Sequence, residues 1–129
     1  MILIDSSVWI AFLGPRTSEV DSIVESLIRP TNQAVIAGVI FQEVLQGIKN
    51  ERSFHLVEKL MGRLPILEPS KKIYLHAAEI FRNLASHGRN CTTVDVLIAA
   101  LAIQYETRLF SLDTDFKAIS KHTHLKFFS

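Results

Sequence analysis

Short, continuously apolar runs alternate along this chain with longer segments whose apolar residues recur at helical spacing, and that alternation constrains the fold more than any other feature. Ile2–Ile4, Ala34–Ala37, Leu64–Leu67, Arg108–Leu112 and Leu125–Phe128 read as strands. The third contains Pro65, which cannot donate to a ladder, so it belongs near an edge or is poorly formed. Ser18 with Asp21 resembles a capping box opening a helix that carries Val20, Ile23, Val24, Leu27 and Ile28 on one face, closed by Pro30 and Asn32. Gly38 to Ile48 and Asn50 to Met61 read as two more helices. Ser70 caps the longest, which runs to about Ser86 before His87-Gly88 stops it. Thr92 or Thr93 starts an Ala- and Leu-rich helix through about Tyr105, and Thr114–Ile119 makes a short one. Strands separated by helices imply an α/β fold with a parallel or mostly parallel sheet covered on both faces.

A chain of 129 residues suffices for one hydrophobic core and not for two, so residues 1–129 are expected to form a single domain. A composition 48% hydrophobic and 21% charged argues against disorder. The N-terminal stretch MILIDSSVWIAFLG lacks a leading Lys or Arg and is interrupted by Asp5, which makes a poor signal peptide. Val35–Phe41 and Val96–Ile103, the longest apolar runs, fall far short of a membrane span. One cysteine, Cys91, cannot form an intramolecular disulfide, and no His adjoins it in a recognisable Cys-His pairing, so it reads as an inert thiol. The expectation is a soluble, cytoplasmic protein with no membrane partner.

In a parallel sheet, ligands bind outside the carboxyl ends of the strands. Asp5 follows Ile2-Leu3-Ile4 there, and Asp113 and Asp115 follow Leu109-Phe110-Ser111-Leu112. Asp95 shares a helical face with Ile98, Ala99 and Ala102, and Glu43 lies at the margin of its helix's apolar face. Each acid also has a structural reading. Asp95 can complete a capping box with Thr92, Asp113 can cap the next helix, Glu43 can be a surface residue, and Asp5 can open a turn through Ser6 and Ser7. Their occurrence on four separate elements that one crevice can collect favours a common site.

Several carboxylates gathered within a few ångströms raise one another's pKa unless a cation neutralises them. An all-oxygen set selects Mg²⁺ or Mn²⁺ over zinc, and phosphodiester hydrolysis is the chemistry most natural to it, with one ion or two. The formal net charge is only +1, yet with the five acids set aside 14 basic residues face 8 acidic ones, a balance suited to a polyanionic substrate.

Those residues carry a resemblance. The chain resembles PIN-domain ribonucleases of the VapC toxin family over essentially its full length, through LIDSSVWI with Asp5, FQEVLQG with Glu43, TTVDVLIAALA with Asp95, and LFSLDTDF with Ser111, Asp113 and Asp115. The resemblance implies a three-layer α/β/α sandwich with a mostly parallel central sheet. It implies a metal-dependent endoribonuclease acting as the toxin of a type II toxin–antitoxin pair. Asp5 and Asp95 would be the principal metal ligands. Glu43 and Asp113 would complete the acidic site directly or through water, with Asp115 a further ligand or an alternate for Asp113. Ser111 stands where the family usually has threonine and would orient a carboxylate or the attacking water. Ser6 and Ser7 replace a common Thr-Asn pair, keeping a hydroxyl at the first position. The family further implies an RNA substrate, a VapB-like antitoxin and a homodimer.

Basic residues between Lys49 and Arg63 and between Lys71 and Arg82, with Arg89 beyond, are candidates for RNA phosphate contacts or simply solvated faces. The five histidines form no zinc pattern, and His122 and His124 read as surface residues. Trp9, Phe12, Phe41, Phe54 and Phe81 fit helical apolar faces and read as core. Two rival functions remain. Asp113-Thr114-Asp115 resembles the D-x-D opening of haloacid-dehalogenase-type phosphatases, but Lys117 stands where that motif needs Thr or Val. A PIN-like fold that binds RNA or protein without cutting is the other.

Overall fold

The structure is a computed structural model that describes residues 1–15, 18–30 and 33–129. Its elements run β1 (Ile2–Ile4), α1 (Ser6–Leu13), α2 (Ser18–Leu27), β2 (Ala34–Ala37), α3 (Gly38–Gln46), α4 (Glu51–Met61), β3 (Ile66–Leu67), α5 (Lys71–Ser86), α6 (Thr93–Gln104), β4 (Arg108–Phe110) and α7 (Asp115–Lys121). The four strands form one sheet in the order β3-β2-β1-β4, and every pairing is parallel. Leu3 sits opposite Val35 on one side and Leu109 on the other. All residues of β1 and β2 are buried, which requires cover on both faces of the sheet. The chain is thus an α/β/α sandwich.

Leu3, Ile4, Ile36 and Leu109 in the sheet are fully buried, as are Trp9 of α1 and Ile98 of α6. Each large apolar side chain withdrawn in this way contributes roughly 1.5–3 kcal/mol relative to exposure. Helix α6 is buried nearly all round, from Val96 through Ile98 to Ala102, because it is clasped between α5, α7 and β4. Its alanines leave room for that close approach.

Helix starts follow the side chains that satisfy their first N–H groups. Asn50 Oδ1 accepts from Ser53 N at 2.9 Å, so Asn50 precedes α4 as its cap and does not belong to the helix. Ser70 caps α5, and Thr92, not Thr93, caps α6. After α5, Gly88 takes a left-handed conformation with φ of 72°, as the helix stop at His87-Gly88 requires. Of the expected α2 boundary signals, Asn32 and the Ser18 side chain lie outside the described residues.

Further expectations change. Phe81, read as core, is exposed on α5. The segment after Asp5 is not merely a turn but a full helix, α1. The strand foreseen at Leu125–Phe128 reduces to a single parallel bridge between Leu109 and Phe127, held by Leu109 N donating to Lys126 O and Phe128 N donating to Leu109 O, both at 2.9 Å. Strand β4 ends at Phe110, two residues early, and beyond it Leu112 N and Asp113 N donate to serine hydroxyls instead of to a ladder. Strand β3 begins just after Pro65 and lies at the sheet edge, where a proline is tolerated.

Candidate metal centre

The chain leaves β1 toward β2 on one side, and it returns through α5 and α6 to place β4 on the other. The carboxyl ends of β1 and β4 therefore lie side by side where the strand order reverses, the place where open parallel sheets form a crevice. Asp5 N donates to Phe110 O at 2.9 Å, which fixes the two ends together.

Asp5 is 4% exposed, and its Oδ2 accepts two hydroxyl hydrogen bonds, from Ser7 at 2.7 Å and from Ser111 at 2.8 Å. The same two hydroxyls accept from the backbone that follows β4, Ser7 across the site from Leu112 N and Ser111 within its own segment from Asp113 N, each at 3.0 Å. Ser6, the hydroxyl expected to matter, donates none of the bonds that hold Asp5; its neighbour Ser7 does. The reason is α1. A helix starting at Ser6 turns the second residue, not the first, back toward the β4 end. Ser7 is the site residue that reading the sequence without this helix misses.

Asp95, at the first turn of α6, Asp113 and Asp115 present carboxylate oxygens that all lie within 4.8 Å of one another. Asp95 is half-buried, while the other two are exposed. Both structural readings of these acids also hold in part. Asp95 N donates to the Thr92 cap at 3.1 Å, and Asp113 Oδ1 accepts from Asp115 N at 2.9 Å, shaping the turn into α7. Neither bond occupies all the oxygens available.

Glu43 projects from α3 into the same region. Burial raises its pKa above the ordinary 4.5, and the Asp5 and Asp95 carboxylates raise it further. Burial likewise raises Asp95, with Asp113, Asp115 and Asp5 adding to the rise and the Thr92 hydrogen bond opposing it. Asp5 and Glu43 are not among the three carboxylates that lie within 4.8 Å of one another, but their charges act on that group. Burial, and then Asp95, also raise the Cys91 thiol, which keeps it protonated and unreactive.

Glu43 Oε1 is buried and has no hydrogen-bond partner, and among the described residues no Lys or Arg forms an ion pair with any of the five acids. A buried carboxylate oxygen left in this state costs free energy unless it is protonated or meets a cation. An all-carboxylate donor set of this kind suits a hard divalent ion such as Mg²⁺ or Mn²⁺. The residues present fit such an ion.

The surroundings separate this site from other features. A cleft of about 450 Å³ lined by His76, Glu79, Lys121, His122 and His124 contains none of the five acids. His122, exposed as expected, stacks against His87 with ring centroids 4.5 Å apart. Lys49, Arg52, Lys59, Arg63, Lys71, Lys72, Arg82 and Arg89 are all exposed.

Comparison with known proteins bears on this geometry. A family model described as "PIN domain" matches residues 2–122. Ribonuclease VapC11 of Mycobacterium tuberculosis is 31% identical over 129 residues, covering 98% of this chain and 96% of that protein. Among solved structures, the DNA-bound VapBC of Salmonella typhimurium matches with a TM-score of 0.82 at 17% identity, over 98% of this chain and 96% of that one. VapBC-1 of nontypeable Haemophilus influenzae matches with a TM-score of 0.80 at 24% identity, over 100% and 98%. At these identities the structural matches speak to the fold.

Proposed function

This chain belongs to the PIN-domain family, and from that premise we propose that it is a Mg²⁺- or Mn²⁺-dependent endoribonuclease, the toxin of a VapBC-like type II toxin–antitoxin pair. One observation carries the reading: Asp95, Asp113 and Asp115 present carboxylates within 4.8 Å of one another, with Asp5 and Glu43 near enough for charge to act between them, and no Lys or Arg among the described residues pairs with any of the five.

Asp95, Asp113 and Asp115 would hold the cation, Asp5 would join them, and Glu43 would complete the set directly or through water. Bound there, a divalent ion supplies a Lewis acid for the phosphodiester and a water that deprotonates more readily than in bulk. The protein's own contribution is positional. Ser7 and Ser111 hold Asp5, and Thr92 anchors the start of α6 beneath Asp95. The acids repel a polyanion, and a cation held among them would offset that repulsion. Exposed Lys and Arg on α4 and α5 are the source of phosphate contacts we assign to the substrate.

The partners are a VapB-like antitoxin, as in the solved VapBC structures, and a second copy of the chain. For the homodimer, support comes from Tyr74 and Phe81, which are exposed beside Leu97 in an apolar groove of α5 and α6. No helix among the described residues is long and apolar enough to cross a membrane, and we assign the protein to the cytoplasm.

Incubating purified protein and RNA with Mg²⁺ or Mn²⁺, beside Asp5→Asn and Asp95→Asn, tests the proposal. Cleavage by the wild type that either substitution abolishes is the expected result. RNA left intact by the wild type with both metals overturns it and leaves a non-cleaving binding module.

A further inference from the structure

We propose that Ser7 is a positioning residue that, together with Ser111, dedicates one oxygen of Asp5 to the protein and the other to the metal. The proposal rests on the metal-site reading above and adds to it a residue and an atom.

A serine hydroxyl has one proton to give and two lone pairs. Ser7 gives its proton to Asp5 Oδ2 at 2.7 Å, and Ser111 gives its own to the same oxygen at 2.8 Å. Both hydroxyls are thereby oriented, and each turns a lone pair to a backbone N–H of the β4–α7 segment, Leu112 for Ser7 and Asp113 for Ser111. The hydroxyls lie 3.3 Å apart, so the two bridges run side by side. Oδ2 is saturated by this arrangement. Oδ1 accepts no such bond among the described residues, which leaves it available to a cation.

The same bridges fix distance as well as orientation. Ser7 belongs to α1 and Leu112 to the loop that carries Asp113 and Asp115. A side chain 105 positions away in sequence from Leu112 thus ties the first acid to the segment bearing the last two. Ligand-orienting groups of this kind commonly set metal affinity, because the ligands arrive already aimed. Ser7→Ala removes the proton given to Asp5 and also the acceptor for Leu112 N. Ser7→Thr keeps both.

Mn²⁺ binding, followed by electron paramagnetic resonance of the free ion on the full chain, tests this directly. Ser7→Ala is expected to weaken Mn²⁺ binding roughly 10-fold, within the range seen for groups that orient metal ligands. Saturating Mn²⁺ should recover most of the cleavage rate, the KM for RNA should stay unchanged, and Ser7→Thr should bind the ion as the wild type does. Thermal melting in chelator establishes that Ser7→Ala is folded. Wild-type affinity in a folded Ser7→Ala overturns the positioning role while leaving the nuclease reading intact. A wild type that binds Mn²⁺ but cuts no RNA overturns the nuclease reading and leaves the clamp standing. A wild type that binds no Mn²⁺ overturns both.

Discussion

Ser111 Oγ lies 2.8 Å from Asp5 Oδ2 although 106 positions separate the two residues in sequence. The bond joins the ends of β1 and β4 through side chains, alongside the backbone bond from Asp5 N to Phe110 O. Ser111→Ala should therefore cost roughly 10-fold or more in metal-dependent cleavage, whereas Ser111→Thr keeps the hydroxyl and most of the rate. Single-turnover cleavage at a fixed, subsaturating Mn²⁺ concentration distinguishes them. Equal rates for wild type and Ser111→Ala would remove the hydroxyl from the mechanism.

Asp95 has a carboxylate among like charges and a backbone N–H on its helix cap. Asp95→Asn removes the charge and leaves that N–H bond in place. In metal-free protein the substitution should hold or raise the melting temperature, since it relieves repulsion. Calorimetry in chelator is the check, and a clear drop would mean that the carboxylate serves the fold more than the metal.

The raised pKa values of Glu43 and Asp95 give stability a definite pH dependence. A carboxyl whose pKa is higher folded than unfolded binds more protons in the native state, so stability falls as pH rises. For these groups the loss begins near their ordinary values, 4.5 for Glu43 and 3.8 for Asp95, and ends once pH exceeds their raised folded values. Metal-free protein should lose this contribution across that window, and Mn²⁺ should offset the loss above it. Urea melts at several pH values, with chelator and with Mn²⁺, measure both. An identical pH slope with and without the ion would contradict the assignment.

Trp9 is fully buried, and its indole N–H has no hydrogen-bond partner. An orphaned donor of this kind costs about 1–3 kcal/mol. Trp9→Phe discards it and loses some packing, so the net change should be small, below about 1.5 kcal/mol, whereas Trp9→Ala should cost about 3–5 kcal/mol. Denaturant unfolding of both variants resolves the difference. A Trp9→Phe loss as large as that of Trp9→Ala would show that the indole is held by more than packing.

The parallel sheet was legible because β1 and β2 are short and uniformly apolar, β4 carries Leu109 and Phe110, and helical segments separate them. Caps were legible for the same local reason, as Ser70 and Thr92 illustrate. Helix α1 was legible only through Trp9 and Phe12, which fit a helical face; its start at Ser6, one residue beyond Asp5, was not, because Asp5-Ser6-Ser7 also suits a turn. Ser6 was the hydroxyl singled out beside Asp5, whereas the hydroxyl that bonds Asp5 belongs to Ser7. The start of β4 at Arg108 was legible, and its end was not. Leu112 is as apolar as a strand residue should be, but its N–H goes to Ser7. Sequence pattern reports which side chains avoid water, and it is silent on which backbone donors a distant hydroxyl will claim.

The Phe127 bridge bears on how this molecule meets other chains. It occupies part of the outer margin of β4, while the opposite margin, β3, is only two residues long and preceded by a proline. Neither rim offers a foreign strand a long row of vacant amide and carbonyl groups. Growth of the sheet by strand addition is thus blocked at both ends, and self-association or capture by another protein must work through helical surfaces.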